Sequence, residues 1–328
     1  MMRIMHRRAD GTIDTSFDAG SLTGALADPS GLTWVDFNDE PPEACTRIMA
    51  GVFHFHPLAI DDALAESHVP KVDDWGEYLY LVLHALEFDG GEQQALSTIE
   101  LDIFAGRNYV VTHREQDLDA LERVWALCPK DERLLGRGAA RLLYHLVDEV
   151  VAGHMPVVDR MDEEMDRIEE QILNAPGPAS LPQVLGIKRS LLHLRRIVAP
   201  QREALNRLAR DELSAIPSTE RVYFRDVYDH LVRLYDIVEG LRDLAAGALD
   251  TYLSVINNKM NEIMKTFTLI TVLFMPISFL TGFFGTNFFS ASAPPLGWTG
   301  RAVFAVFCAA MVLVPVGMYV WLKRRKWV

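Results

Sequence analysis

The chain has 328 residues, of which 45 are acidic and 32 are basic, for a net charge of −13. The charge is unevenly divided: residues 263–328 contain no Asp or Glu, whereas the residues before them carry 26 basic and 45 acidic side chains, a net charge of −19. Such an acidic surface repels nucleic acid and attracts cations, so no nucleic-acid partner is expected. The alternative interpretation is that the charge only keeps the domain soluble.

Residues 1–130 are predicted to form an α/β domain. Apolar, partly alternating runs predict four strands, at residues 31–37, 78–88, 97–104 and 108–112. Two short helices, each opened by a proline near its first turn, are predicted at residues 41–53 and 57–66. Three scattered cysteines fit a reducing compartment and offer no metal-ligand spacing.

Residues 131–216 have the pattern of an antiparallel helical hairpin. Apolar residues recur at three- and four-residue spacing over residues 134–173, the segment 174–178 breaks the pattern, and a second helix runs over residues 181–213. The first arm is rich in acids and the second in bases, so the hairpin sets opposite charges against each other as weak surface pairs. A solvated charged face is the favoured interpretation of this pattern.

Residues 217–284 are predicted to form one uninterrupted stalk helix, because no proline or breaker cluster occurs before Pro276. Its last part, residues 266–284, is an uncharged apolar run of membrane-spanning length, and residues 302–322 form a second. The loop 285–301 joins them, and the basic tail 323–328 follows.

The basic residues flank the predicted spans on one side. Lys265 precedes the first span and residues 323–326 are all basic, whereas the loop contains only Arg301. The N-terminus has no apolar signal segment. By the positive-inside rule, we expect a multi-pass protein of the cytoplasmic (inner) membrane with both termini and the large domain in the cytoplasm.

Several ordered segments resemble the CorA family of two-span divalent-cation channels. They include Trp34-Val35-Asp36, His56-Pro57-Leu58 followed by Asp61-Asp62, Pro70-Lys71-Val72, residues 223–230, Phe274-Met275-Pro276 and Gly285-Thr286-Asn287. The resemblance implies a funnel-shaped homopentamer with an α/β cytoplasmic domain, a long all-α stalk and two C-terminal transmembrane helices. In that arrangement the first spans line a central pore.

A stripe along the stalk helix is independently typical of a helix that faces its own copies. Small, polar or thioether residues recur at three- and four-residue intervals: Asn261, Met264, Thr268, Thr271, Met275, Ser278 and Gly282. The family motifs place Phe267 at one narrow point of the pore, so Phe267 and Thr268 are both candidates for that level. The alternative interpretation is that small and hydroxyl side chains only allow close helix packing.

The spans and their loop contain no carboxylate or imidazole. We therefore expect the pore to bind a hydrated cation through neutral oxygens, at a selectivity filter formed by Gly285, Thr286 and Asn287. Met264, Phe267 and Met275 are expected to form hydrophobic constrictions, and Asn261 a second polar ring.

Regulation is implied by the resemblance. Asp62 and Asp226 match a pair of acids that meet across subunits and bind intracellular divalent ions, which closes the pore. Two facing carboxylates repel each other unless a cation lies between them. Asp61 and Asp89 are further candidates, and the alternative is that all these acids are ordinary surface residues.

Differences between this sequence and the family motifs leave the identity of the transported ion open. The magnesium branch has Met in the middle of its Gly-Met-Asn motif and acids in the loop, whereas this chain has Thr286 and an acid-free loop. The zinc transporter branch, ZntB, has a neutral loop of this kind. Mg²⁺ is placed ahead of Zn²⁺, with Co²⁺ and Ni²⁺ as further transported or regulatory ions.

Two other classes of function differ from transport. A membrane scaffold or sensor that has lost transport is a second alternative. An enzyme is not expected, since no phosphate loop, nucleophile motif or metal-ligand cluster is present and no cofactor is implied. The expected partners are further copies of the chain and the lipid bilayer.

Overall fold

The computed structural model describes residues 1–15, 17, 19–65, 69–89, 94–174, 176, 177, 179–285 and 301–325. The chain divides into two compact units, Met1–Asp250 (unit 1) and Thr251–Val328 (unit 2). The division falls inside the long helix, so the predicted subdivision at residues 130 and 216 stays a prediction.

Unit 1 contains a mixed seven-stranded sheet in the order β2-β1-β3-β7-β6-β5-β4. Among the described strands, only β3 and β7 pair in parallel, and the other neighbours are antiparallel. The strands are β1 (Met2–Arg7), β2 (Ile13–Asp14), β3 (Leu32–Asn38), β4 (Lys71–Asp74), β5 (Leu79–Asp89), β6 (Ala95–Ala105) and β7 (Tyr109–Arg114). The four predicted strands correspond to β3, β5, β6 and β7.

Three strands were not predicted, and their composition explains why. β1 and β4 read MRIMHR and KVDD, so charged residues hide any apolar alternation. β1 forms because it pairs along its whole length with β3, and β4 forms because it pairs with β5. Pairing with an apolar neighbour thus overrides weak local preference.

The helices of unit 1 surround this sheet. They are α1 (Leu22–Leu26), α2 (Pro42–Gly51), α3 (Pro57–Leu64), α4 (Asp119–Leu127), α5 (Glu132–Gly136), α6 (Ala139–Ala152), α7 (His154–Asn174) and α8 (Ser180–Arg210). α2 and α3 confirm the two predicted proline-initiated helices. The core between them and the sheet is rich in aromatic side chains, including Phe53, Phe55 and Phe104.

The first arm of the predicted hairpin is divided into two helices. α6 ends at Ala152 and α7 begins at His154, with Gly153 between them. The amide of Gly153 still donates to the carbonyl of Glu149, and Pro156 in the first turn of α7 lacks an amide hydrogen. Glycine and proline so close together account for the break.

The expected pairing of acids and bases between α7 and α8 is not found. Among the described residues, no ion pair joins the two helices; Arg167 pairs with Glu164 on α7 itself, and Arg195 of α8 pairs with Glu239. Their contact is apolar instead. The buried residues include Met161, Met165 and Ile168 of α7, and Leu191, Leu194 and Ile197 of α8.

Two long helices complete the chain. α9 (Arg221–Gly285) has 65 residues, close to the predicted stalk helix, and α10 (Arg301–Arg324) contains the second apolar run. Within unit 1, α9 buries one stripe at three- and four-residue spacing, which is typical of an amphipathic helix. The stripe consists of Phe224, Val227, Leu231, Leu234, Val238, Leu241, Ala245 and Ala248.

Candidate metal-transport sites

The predicted pore stripe lies on the exposed side of α9 in unit 2. The side chains of Asn261, Met264, Phe267, Thr268, Thr271, Met275 and Ser278 are all exposed in the single chain. A different face is partly covered and consists of Leu269, Val272, Leu273, Pro276, Ile277 and Leu280. At 3.6 residues per turn, the centres of the two faces are about 150° apart around the helix.

α10 has a matching, partly covered face. It consists of Phe307, Ala310, Met311, Pro315, Met318 and Leu322, at three- to four-residue spacing apart from the adjacent pair 310 and 311. Leu322 is buried, and it lines a cleft of about 580 Å³ together with residues of α9 from both faces, among them Asn261, Met264, Thr268, Leu269 and Val272. Within unit 2, the end of α10 thus lies at a cleft that residues of the stripe and residues of the covered face of α9 both line.

Hydroxyl groups on α9 bond to the helix itself. The Thr271 hydroxyl donates to the carbonyl of Phe267 at 2.9 Å, and the Thr266 hydroxyl donates to the carbonyl of Glu262 at the same distance. Each hydroxyl hydrogen is thereby used within the helix, which leaves the oxygen lone pairs as acceptors for water or a cation. Thr271 belongs to the stripe, whereas Thr266 lies about 140° around the helix from Thr271.

The predicted selectivity filter is only partly described. Gly285 is the last residue of α9 and is exposed. Thr286, Asn287 and the loop to residue 300 lie outside the described residues. The filter therefore stays a prediction.

Asp62 lies on α3 and already has a partner in unit 1. Its Oδ2 atom is 2.5 Å from Nζ of Lys71 on the edge strand β4, and the same ammonium lies 3.2 Å from Asp73. Although burial opposes its charge, the hydrogen bonds to Asp62 and Asp73 raise the pKa of Lys71 above its usual value. A cation that binds Asp62 must therefore displace or repel Lys71.

Asp226 is exposed on α9, and its charge influences a second acid, Asp148, which the sequence did not single out. Burial raises the pKa of the Asp148 carboxyl on α6, and the charges of Glu149 and Asp226 raise it further. The Tyr144 hydroxyl donates to Asp148 at 3.5 Å. The signal for Asp148 in the sequence was weak, because an acid in an amphipathic helix is ordinary. Among the described residues, no group of three or more His, Cys, Asp or Glu side chains is arranged to hold a metal ion.

Asp36, part of the family-like segment at residues 34–36, is structural. It is fully buried and accepts hydrogen bonds from Arg3 at 2.9 Å, Arg114 at 3.1 Å and Thr112 at 2.6 Å. Glu122 also pairs with both Arg3 and Arg114, so two carboxylates neutralise the two guanidinium groups. Both carboxylate oxygens of Asp36 are thus engaged in hydrogen bonds.

Comparison with known proteins agrees with these features. Two helices are long and apolar enough to cross a membrane, Arg221–Phe283 and Ala305–Arg324. The family model for the CorA-like Mg2+ transporter protein matches residues 29–324. The solved structure of the complete CorA magnesium transporter from Methanocaldococcus jannaschii superposes with a TM-score of 0.81 and 22% identity, over 100% of this chain and 99% of that one.

Relatives of the chain carry transport names. The putative metal ion transporter YfjQ of Bacillus subtilis is 34% identical over 90% of this chain and 89% of its own length. The cobalt/magnesium transport protein CorA of Thermotoga maritima is 33% identical, with coverages of 92% and 84%. The zinc transport protein ZntB of Cronobacter sakazakii is 26% identical, with coverages of 92% and 90%. The chain belongs to the CorA-like Mg²⁺ transporter family.

Proposed function

We propose that this protein transports divalent metal cations across the cytoplasmic membrane through a pore formed by five copies of the chain, with Mg²⁺ as the main ion. The observation that carries the proposal is the polar stripe of α9, whose described side chains are all exposed in the single chain. In a ring of copies, α9 would line the pore with this stripe and α10 would form the outer layer. Polar residues in a span are expensive in lipid and face a bundle interior or a water-filled cavity.

The pore-lining groups determine how the ion moves. The stripe supplies amide, hydroxyl and thioether groups and no carboxylate, so it cannot replace the water shell of Mg²⁺ with charged ligands. Mg²⁺ loses water reluctantly and keeps several waters when bound. The ion therefore passes largely hydrated, held at Gly285, Thr286 and Asn287 and again at Asn261. An inside-negative potential of about 100 mV favours entry of a divalent ion by about 4.6 kcal/mol.

Three large apolar side chains lie in or beside the same stripe. Met264, Phe267 and Met275 are each at least 60% exposed in the single chain. Repeated five times around an axis, each becomes an apolar ring that can empty of water and block a hydrated ion. These levels are the proposed gates.

Asp62 and Asp226 are the proposed regulatory residues. With unit 1 in the cytoplasm, intracellular Mg²⁺ bound between acids of neighbouring subunits would favour the closed state. Asp148 adds negative charge beside Asp226 and strengthens attraction for a cation there. Replacement of both Asp62 and Asp226 by Asn is expected to make flux insensitive to internal Mg²⁺, and full retention of inhibition would contradict this role.

Mg²⁺ is favoured over Zn²⁺ by the donor set, because neutral oxygen donors suit Mg²⁺, whereas Zn²⁺ prefers nitrogen and sulfur ligands. The Zn²⁺ alternative is supported by Thr286 and the acid-free loop, which match the zinc branch. Parallel flux of Mg²⁺, Zn²⁺ and Co²⁺ into proteoliposomes, with and without a proton gradient, distinguishes these ions and separates a channel from a proton-coupled carrier. A protein that moves none of them is the scaffold or sensor.

A matched pair of threonines tests the pore. Thr271→Val removes a hydroxyl from the stripe, whereas Thr266→Val removes one with the same intrahelical hydrogen bond from another face. We expect Thr271→Val and Asn287→Ala to reduce Mg²⁺ flux and Thr266→Val to leave it near wild type. Equal effects of the two threonine substitutions would refute the assignment of the pore face.

A further inference from the structure

Four ionisable side chains lie together on one face of the sheet in unit 1, and the proposed pore and regulatory residues do not use them. His84 on β5 is opposite Glu100 on β6, and Asp102 on β6 is opposite His113 on β7. The Nε2–Oε2 distance of the first pair is 3.3 Å, and the Nδ1–Oδ2 distance of the second is 3.6 Å. Because alternate residues of a strand share a face, Glu100 and Asp102 make the two pairs neighbours.

These groups are buried where a core would ordinarily be apolar. His84 and Asp102 are each 2% exposed, and His113 is 5% exposed. The Nδ1 atoms of His84 and His113 are both buried without a hydrogen-bond partner. Pairing offsets part of the cost of burying imidazole and carboxylate groups, but a buried ring nitrogen without a hydrogen bond still costs free energy and calls for a reason beyond packing.

The space beside these side chains can hold a ligand. A cavity of about 390 Å³ is lined by His84, Glu100, Asp102 and His113, and its lining also includes His193, an exposed residue of α8. His84, whose Nδ1 atom has no hydrogen-bond partner, is therefore at the wall of a cavity whose lining includes an exposed residue.

We propose that this cavity binds a first-row divalent transition-metal ion such as Zn²⁺, Co²⁺ or Ni²⁺, with His84, Glu100, Asp102 and His113 as its ligands. Imidazole together with carboxylate suits these ions, whereas Mg²⁺ prefers oxygen donors alone. The proposal concerns binding in unit 1 and does not depend on the proposed pore.

The ion must draw the two pairs together. In the part of the chain that the structure describes, no three of these donors are yet gathered around one point. Each pair supplies one imidazole and one carboxylate, and the cavity gives their side chains room to turn. The Tyr80 hydroxyl donates to Oδ1 of Asp102 at 2.7 Å, so that carboxylate is already oriented by a neighbour of the kind that supports metal ligands.

The same tyrosine connects the cavity with Asp62. Nζ of Lys71 lies 5.1 Å from the centre of the Tyr80 ring and pairs with Asp62. A change at Asp102 on metal binding is thus one hydrogen bond and one cation–π contact away from the Lys71–Asp62 pair. This connection gives a bound transition metal a route to the proposed regulatory acid.

Equilibrium dialysis and Co²⁺ absorption on the full-length, detergent-solubilised protein test the proposal. The protein carries Asp62→Asn and Asp226→Asn so that the proposed regulatory acids contribute nothing. We expect about one Zn²⁺ or Co²⁺ per chain, visible Co²⁺ bands indicating nitrogen ligands, and no competition from excess Mg²⁺. His84→Gln and Glu100→Gln should each weaken binding by about tenfold or more, since even a lost second-shell partner typically costs 10- to 100-fold.

The matched control is His145→Gln, which removes a half-buried imidazole of α6 away from this cavity. Unchanged affinity in both His84→Gln and Glu100→Gln, an equal loss in His145→Gln, effective competition by Mg²⁺, or absence of bound Zn²⁺ and Co²⁺ would each overturn the proposal. Glu100→Gln preserves shape and is the decisive variant if His84→Gln does not fold. No flux is measured, so failure here leaves the proposed transport function untouched.

Discussion

The contact between Lys71 and Asp62 gives a quantitative prediction about regulation. The ammonium is 2.5 Å from the carboxylate, and the two side chains are 31% and 48% exposed. If Asp62 binds an intracellular cation, Lys71 competes with that cation for the same oxygen and also repels it. Lys71→Met should therefore increase the affinity of the closed state for Mg²⁺.

The size of the effect follows from the charges. A monovalent ammonium about 5 Å from a divalent ion repels it by about 1.7 kcal/mol in water. Screening at physiological ionic strength roughly halves this value. In the wild type, Mg²⁺ must also break the half-exposed ion pair between Lys71 and Asp62. Because Lys71→Met removes this pair, the affinity for Mg²⁺ gains about a further 0.5 kcal/mol. The total of about 1.4 kcal/mol corresponds to a roughly tenfold lower half-inhibitory Mg²⁺ concentration.

Mg²⁺ inhibition of flux in proteoliposomes measures this shift. Lys71→Arg keeps the charge and should stay close to wild type. Lys130→Met removes the same charge from an exposed site elsewhere in unit 1 and is the matched control. Inhibition at the same Mg²⁺ concentration in Lys71→Met and wild type, or an equal shift in Lys130→Met, would refute the reasoning.

Two further predictions concern the stability of unit 1. Asp36→Asn removes the fully buried carboxylate that Arg3 and Arg114 share, leaving Glu122 to balance both guanidinium groups, and should lower the free energy of unfolding by about 3–5 kcal/mol. Asp117→Asn, which alters the exposed partner of Arg114, should change it by under about 0.5 kcal/mol. Equal urea midpoints for the two variants would contradict this. Burial opposes the charged His113, but Asp102 and Cys45 raise its pKa from 6.5 to about 9, so its contribution to stability is complete below pH 6.5 and is lost as pH rises through about 9. Urea unfolding from pH 6 to 10 should lose this part of its pH dependence in His113→Gln, and identical slopes in both proteins would exclude the effect.

The local sequence pattern was sufficient to predict a helix or strand where the residues of that element alone determine its structure. Helix α9 could be predicted over nearly its whole length, because apolar spacing and the absence of breakers are properties of that segment alone. The same holds for β5, whose continuous apolar run is buried on both faces. The charged strand β4 could not be predicted, because only its pairing with β5 makes it a strand.

The candidate sites divide in the same way. Spacing along α9 placed the pore stripe on one helix face, since residues three and four apart are neighbours on any helix. Spacing could not show that Lys71 forms an ion pair with Asp62, or that Asp148 on another helix lies near enough to Asp226 for their charges to interact. Those contacts depend on which elements pack together, and no local period encodes that.

By itself, the sequence determined the two apolar spans, the neutral character of the predicted pore and the family, because composition and ordered motifs are readable one segment at a time. Only the tertiary structure decided that Leu322 of α10 lies at a cleft lined by Asn261, Thr268 and Val272 of α9. It alone decided that strand register gathers His84, Glu100, Asp102 and His113 around one cavity. Side chains far apart in the chain meet only after non-local pairing has fixed the register, and a slip of one residue would turn them to the other face.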